Sequence, residues 1–159
     1  AGISTMRAVV DLTEAEWDAN MAVNAKGVFL TNQLIVRRWL KAGTKGVIVN
    51  TASLAGKMGA PLLAHYSASK FAVVGFTQAM NKELGDAGIK NTALAPGFVD
   101  TPMTEFVKGM VPADTMITPV DIAESVRYLL RTSPGCVIPE IRFEQPGGGL
   151  TSDGGNLSI

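Results

Sequence analysis

Three stretches of the chain repeat apolar residues at helical spacing, and shorter apolar runs lie between them without that period. The first carries Met21, Val23, Val28, Phe29, Leu34, Ile35, Trp39 and Leu40. It opens at Asp11-Leu12-Thr13-Glu14-Ala15-Glu16-Trp17, where Thr13 can cap the first amides and Glu16, three residues on, can reach back to it. Gly43 supplies a stop, so this helix is expected to end near Lys41. A second helix is expected from about Ala64 to Gly85, with Phe71, Val74, Phe76 and Met80 among its apolar positions and Gly85 and Gly88 closing it. The third opens at Thr118-Pro119-Val120-Asp121, with proline in its first turn, and runs to about Arg131.

The runs between them read as strands. Gly46-Val47-Ile48-Val49-Asn50-Thr51-Ala52-Ser53 is apolar without alternation, as expected of a central strand covered on both faces. Asn91-Thr92-Ala93-Leu94-Ala95 is a weaker strand ended by Pro96-Gly97. Val137 to Phe143 gives a last strand, which Pro139 confines to an edge or a strand start. Residues Leu54 to Leu63 form a loop, Phe98 to Ile117 a mixed, Met-rich one, and Gly147 to Ile159 a Gly/Ser-rich segment expected to be a flexible tail. Alternating helices and strands predict an α/β fold: a doubly wound parallel sheet with helices on both faces. Three strands are few for that fold, and Val47 to Ser53 is too apolar for an exposed edge, so a further strand is expected beside it.

Composition narrows the function. Fourteen basic residues balance fourteen acidic ones, so no net field favours nucleic acid or an anionic membrane. No apolar run approaches the ~18 residues that cross a bilayer. Cys136 is the single cysteine and cannot form an internal disulfide, which fits a reducing compartment and makes the cytoplasm the expected location. One histidine and one cysteine fall short of the ligands a zinc centre needs, so no metal is expected. Ala1-Gly2-Ile3-Ser4 has neither an initiator Met nor the pattern of a secretory signal, and reads like the interior of a longer protein.

The chemistry centres on Tyr66-Ser67-Ala68-Ser69-Lys70, which sets a phenol and an ammonium four residues apart on one helix face. A tyrosine titrating near ~10 is a poor base at neutral pH, and a neighbouring cation favours its ionised form. Lowering it by roughly 2 to 3 units takes about 3 to 4 kcal/mol, more than an exposed lysine supplies, so a working pair must be partly buried. Taken alone the spacing also fits a solvated pair. Two further residues sharpen it: Ser53 ends an apolar strand, where a parallel sheet presents its functional groups, and Asn24 sits inside the first helix, where asparagine is mildly unfavourable. His65 is read as a pocket-wall or surface residue, and Met103, Met110 and Met116 suit a flexible apolar lid.

In this order, Asn24, Ser53, Tyr66 and Lys70 resemble the Asn-Ser-Tyr-Lys tetrad of the short-chain dehydrogenase/reductase family. Ala1-Gly2 is similar to the end of the family's Asn-Ala-Gly element, and Pro96-Gly97-Phe98-Val99-Asp100-Thr101 to its Pro-Gly-x-x-x-Thr segment. The resemblance implies an oxidoreductase that moves a hydride between NAD or NADP and a small-molecule secondary alcohol or carbonyl, on the carboxyl-terminal portion of a Rossmann-like domain spanning residues 1–146. Tyr66 would be the general acid or base, and Ser53 would position the carbonyl. Lys70 would serve both the phenol and the nicotinamide ribose, and Asn24 would hold a water that links Lys70 to solvent. Tyr66, Lys70, Pro96, Gly97, Val99 and Thr101 would face the cofactor, the Val99 backbone meeting the carboxamide and the Thr101 hydroxyl contacting the dinucleotide. A homo-oligomer, most simply a tetramer, is implied for the long helices near Trp17 and Ala64, whose apolar content exceeds one buried stripe.

The family's glycine-rich phosphate turn has no counterpart here. Gly147-Gly148-Gly149 follows the last strand and leads to no apolar helix, so it is rejected as a phosphate loop. The alternative reading is therefore a noncatalytic half-domain retained for assembly or binding.

Overall fold

The computed structural model describes residues 2–109 and 111–146. Thr13 begins the first helix as its spacing requires: its hydroxyl accepts from the Glu16 N–H at 3.2 Å, and the Glu16 carboxylate accepts from the Thr13 N–H at 3.0 Å. Helix α1 (Glu14–Asn20) passes into a π-helical segment, Met21–Lys26, and on into α2 (Gly27–Ala42). Gly43 ends the run in the left-handed region, at φ 65°, the stop that glycine adopts without a Cβ penalty. The remaining helices are α3 (Ala64–Leu84) and α4 (Pro119–Arg131), the latter opened by a capping box between Thr118 and Asp121.

Strands β1 (Gly46–Thr51), β2 (Ile89–Pro96) and β3 (Glu140–Phe143) form a parallel sheet in that order. Gly46 stands opposite Ile89, and Ala93 opposite Glu140. One face carries α2 and α3: Ile48 and Ile89 pack with Met80, Leu84 and Trp39, while Ala52 and Ala93 pack with Val73, Val74 and Val28. Inside this layer Asn32 donates to Asn50 Oδ1 at 2.9 Å, and Asn50 donates to Thr77 Oγ1 at 3.1 Å. These three buried side chains satisfy one another across α2, β1 and α3, which fixes their register. Lys90 alternates to the opposite face, where its ammonium donates to the Thr132 carbonyl and hydroxyl at 3.2 and 2.7 Å, tying α4 to that side.

Three boundaries differ from the sequence reading. The ladder of β1 stops at Thr51, and its Ile48 and Asn50 are buried while Val47 and Val49 are only half-buried, so the two faces are unequally covered. Strand β2 is longer than expected because Ile89, fully buried, already pairs with Gly46. Strand β3 is shorter, starting after Pro139: the carbonyls of Ile138 and Pro139 accept from the Thr92 hydroxyl at 2.6 Å and the Ala93 N–H at 3.0 Å before the regular ladder begins.

The Met-rich segment from Phe98 to Ile117 has some regular structure. It contains short 3₁₀ turns at Pro102–Val107 and Ala113–Thr115. Met116, Val107 and Val111 are buried together against Phe98, whereas Met103 is exposed. Met110 and the tail from Gly147 to Ile159 lie outside the described residues.

Candidate active site

Beyond β1 the chain stays in line for one more residue, with the Ala52 N–H donating to the Leu94 carbonyl at 2.7 Å. Ser53 then caps a tight turn, Leu54–Gly56, its hydroxyl accepting from the Ala55 N–H at 3.1 Å. The turn rests directly on α3: a Cβ added to Gly56 would stand 2.7 Å from both the carbonyl carbon and the carbonyl oxygen of Lys70. Only glycine allows the serine turn and the lysine helix to approach this closely.

Tyr66 and Lys70 lie one turn apart on α3, with the ammonium 5.7 Å from the centre of the phenol ring. Lys70 is 5% exposed and donates to the Thr51 carbonyl at 3.0 Å, so the last residue of β1 fixes its head. Burial lowers the Lys70 ammonium to about 8. Burial also raises the Tyr66 phenol, and a contact from the Ser53 side chain offsets only part of the rise. Desolvation sets the direction of the phenol's shift, while the ammonium donates to the Thr51 carbonyl and lies over the ring.

Asn24 sits in the π-helical segment, 1% exposed. Its amide grips the backbone of Ile3 from both sides, accepting from the N–H at 2.9 Å and donating to the carbonyl at 2.8 Å. The same nitrogen lies within hydrogen-bonding distance of Asn20 Oδ1 at 3.2 Å and Ser69 Oγ at 3.1 Å. The side chain is therefore engaged with protein groups and clamps the backbone of Ile3.

Ile3 belongs to an extended strap that sequence reasoning passed over. Thr5 Oγ1 lies 2.9 Å from His65 Nε2, and the Arg7 N–H donates to the Leu62 carbonyl at 2.8 Å. Leu62 is held at φ 63°, a strained position for a leucine, four residues before Tyr66. His65 is completely buried, a wall residue and not a surface one. The only advance signal for the strap was the Ala1-Gly2 resemblance.

On the other side, Pro96 ends β2 opposite Phe143. A Cβ on Gly97 would meet Gln145 Oε1 at 2.7 Å. Gln145, buried and unmarked by any motif, donates to the Phe98 carbonyl at 3.1 Å. The Val99 carbonyl accepts from the Thr101 and Thr104 hydroxyls at 3.3 and 2.5 Å, and Val99 bridges to Ile117. Thus Ser53, Tyr66 and Lys70 converge at the carboxyl end of β1, Asn24 stands behind them, and the loop from Pro96 to Thr101 leaves the adjacent end of β2. Among the described residues no group of acidic, histidine or cysteine side chains is placed to hold a metal ion, and no helix is long and apolar enough to cross a membrane.

A family model described as short chain dehydrogenase matches residues 1–111. The chain is 35% identical over 145 residues to (3R)-3-hydroxyacyl-CoA dehydrogenase of Canis lupus familiaris, covering 86% of this chain and 56% of that protein. It is 36% identical over 137 residues to the 3-oxoacyl-(acyl-carrier-protein) reductase of Thermotoga maritima, covering 81% and 55%. Among solved structures, a 4-hydroxyisoleucine dehydrogenase mutant complexed with NADH and succinate superposes with a TM-score of 0.86 at 29% identity, over 95% of this chain and 65% of that one. The chain thus spans little more than half the length of the curated relatives it matches.

Proposed function

The chain belongs to the short-chain dehydrogenase family, and from that premise we propose that the whole protein is an oxidoreductase interconverting a secondary alcohol and a carbonyl with NAD or NADP. The observation that carries the reading is the convergence of Ser53, Tyr66 and Lys70 on one sheet edge, with Lys70 buried and fixed by the Thr51 carbonyl. The noncatalytic alternative gives no reason for holding an ammonium in a site that depresses its pKa.

The donor set suits a nicotinamide nucleotide. An ammonium has three N–H groups, of which the Thr51 carbonyl takes one, leaving donors for ribose hydroxyls. The Val99 carbonyl is occupied by two threonine hydroxyls, so its N–H is the group that suits a carboxamide oxygen, with Pro96, Gly97 and Thr101 lining the same loop. Held by these groups, a nicotinamide would supply or accept the hydride. Ser53 holds the substrate oxygen. In reduction the Tyr66 hydroxyl donates its proton to that oxygen, and in oxidation the phenolate takes it back. The raised pKa of Tyr66 keeps it protonated at neutral pH, suited to the reducing direction. Asn24 keeps Ile3 and the strap against the lysine.

The protein is further proposed to be a homo-oligomer, a tetramer in the simplest case, in the cytoplasm. Phe29, Leu30 and Leu34 on α2 and Phe71 on α3 are exposed apolar side chains on neighbouring helices, an uncovered surface of the kind a second copy buries. The lone cysteine, Cys136, is unpaired, in keeping with a reducing compartment.

Tyr66→Phe in the full-length protein tests the chemistry. Turnover should fall by about 100-fold or more while nicotinamide affinity changes little, because only the proton-transferring oxygen is lost. Retained turnover would overturn the assignment.

A further inference from the structure

The turn that presents Ser53 is anchored at its far end by charges that the proposed chemistry does not use. Lys57 closes that turn, its N–H donating to the Leu54 carbonyl at 2.8 Å. Its ammonium meets Glu140 Oε2 on β3 at 2.8 Å, a contact across 83 positions of sequence. The other carboxylate oxygen of Glu140 accepts from Arg142 Nε at 2.8 Å. The Lys57 and Glu140 side chains are 22% and 16% exposed, against 65% and 58% for the surface pair of Arg127 and Glu124. Burial pushes the Glu140 carboxyl up, but hydrogen bonds from Arg142 and Lys57 outweigh it and hold the group below its ordinary range. This pair is largely withdrawn from water, where ion pairs are least screened and most demanding of geometry.

We infer that Lys57 and Glu140 are positioning residues for Ser53. The line of contact is short. Glu140 fixes Lys57, and Lys57 closes the Leu54–Gly56 turn. The Ala55 N–H within that turn holds the Ser53 hydroxyl, and Gly56 seats the turn on the Lys70 backbone. Without the tether, that seating alone governs the turn, and Ser53 samples orientations that miss the substrate oxygen. Small misplacements of a positioned group are costly in turnover.

The inference rests on the oxidoreductase reading for its effect on turnover only; its effect on the turn is separate. In the full-length protein, hydrogen exchange of the Ala55 to Met58 amides and steady-state kinetics on a carbonyl substrate would be measured for Lys57→Met, Glu140→Gln and Lys57→Arg. The two neutralising variants should exchange these amides about 10-fold faster and lose roughly 3- to 30-fold in kcat/KM, with nicotinamide affinity within about 2-fold of the parent. Lys57→Arg, which keeps the charge and leaves Arg142 its carboxylate, should hold both readouts near the parent. Unchanged exchange in the neutralising variants, or a Lys57→Arg variant as impaired as Lys57→Met in both readouts, would overturn the proposal. Should the parent itself lack nicotinamide-dependent turnover, the oxidoreductase reading fails and the exchange data alone decide the tether.

Discussion

Replacing Lys70 by methionine should make the folded protein more stable while abolishing the proposed chemistry. The ammonium is 5% exposed and titrates at about 8, where an ordinary lysine titrates at 10.5. At about 1.4 kcal/mol per pKa unit, keeping it charged at pH 7 costs the folded state about 3 kcal/mol. Methionine of similar length removes that cost but forfeits the charge-assisted hydrogen bond to the Thr51 carbonyl, worth about 1.5 to 3 kcal/mol. The variant should therefore gain up to about 1.5 kcal/mol at pH 7, a rise in Tm of at most roughly 5 °C for a protein of this family's size. The sign then reverses with pH. Between about 8 and 10.5 the unfolded chain binds more protons at this residue than the folded one, so parental stability climbs as pH rises. Above that window lysine is neutral in both states, the cost has vanished, and the variant should be the less stable by about 1 kcal/mol. Urea denaturation of the nicotinamide-free full-length protein at neutral, intermediate and strongly alkaline pH measures both limbs. A variant destabilised at pH 7, or two stability profiles that run parallel across pH, would refute the reasoning.

Asn24→Ala should cost about 2 to 5 kcal/mol, since the Ile3 N–H and carbonyl lose a shared buried partner; denaturant midpoints measure it, and a loss below 1 kcal/mol would show that the clamp is dispensable. Gly56→Ala drives a Cβ to 2.7 Å from Lys70 backbone atoms that cannot rotate aside. It should cost roughly 1 to 3 kcal/mol and lower turnover, as the serine turn and α3 are forced apart. Leu34→Glu with Phe71→Glu should convert the proposed oligomer to smaller species by light scattering, because both side chains are exposed on the proposed interface. An unchanged mass would remove these helices from it.

Periodicity located the three long helical stretches, and two of them open on a cap that needs no tertiary partner. Thr13 and Thr118 find their caps three residues on, and Gly43 turns left-handed on its own account. Three of the proposed site residues carried local marks, Tyr66 and Lys70 sharing a helix face and Ser53 following a strand, whereas Asn24 and the set as a whole rested on the family resemblance. What escaped was set by distant contacts. Nothing local distinguishes the π-helical turns around Asn24 from an ordinary helix. The extra rotation accompanies a hydrogen-bonded Ile3 lying 21 positions away. The electrostatics escaped as well. Spacing says that an ammonium is near a phenol, but burial decides which charge survives, and burial depends on the sheet, the strap and Gly56 together. Gln145 is invisible for the same reason, being defined by the hollow above Gly97 that it fills.

The strap from Ile3 to Arg7 has a consequence for how the molecule is assembled in time. Its bonds to Asn24, His65 and Leu62 join residues 21 to 60 positions apart, and each must await elements that are themselves brought together by parallel, non-local pairing. Loop-closure entropy delays contacts of this kind until the intervening chain is ordered. Helices α2 and α3 can form early and contribute helical circular dichroism signal, while the wall behind Lys70 closes late. During refolding, then, recovery of turnover should lag behind recovery of helical signal, which makes catalytic competence a clock for the final step of folding rather than for collapse.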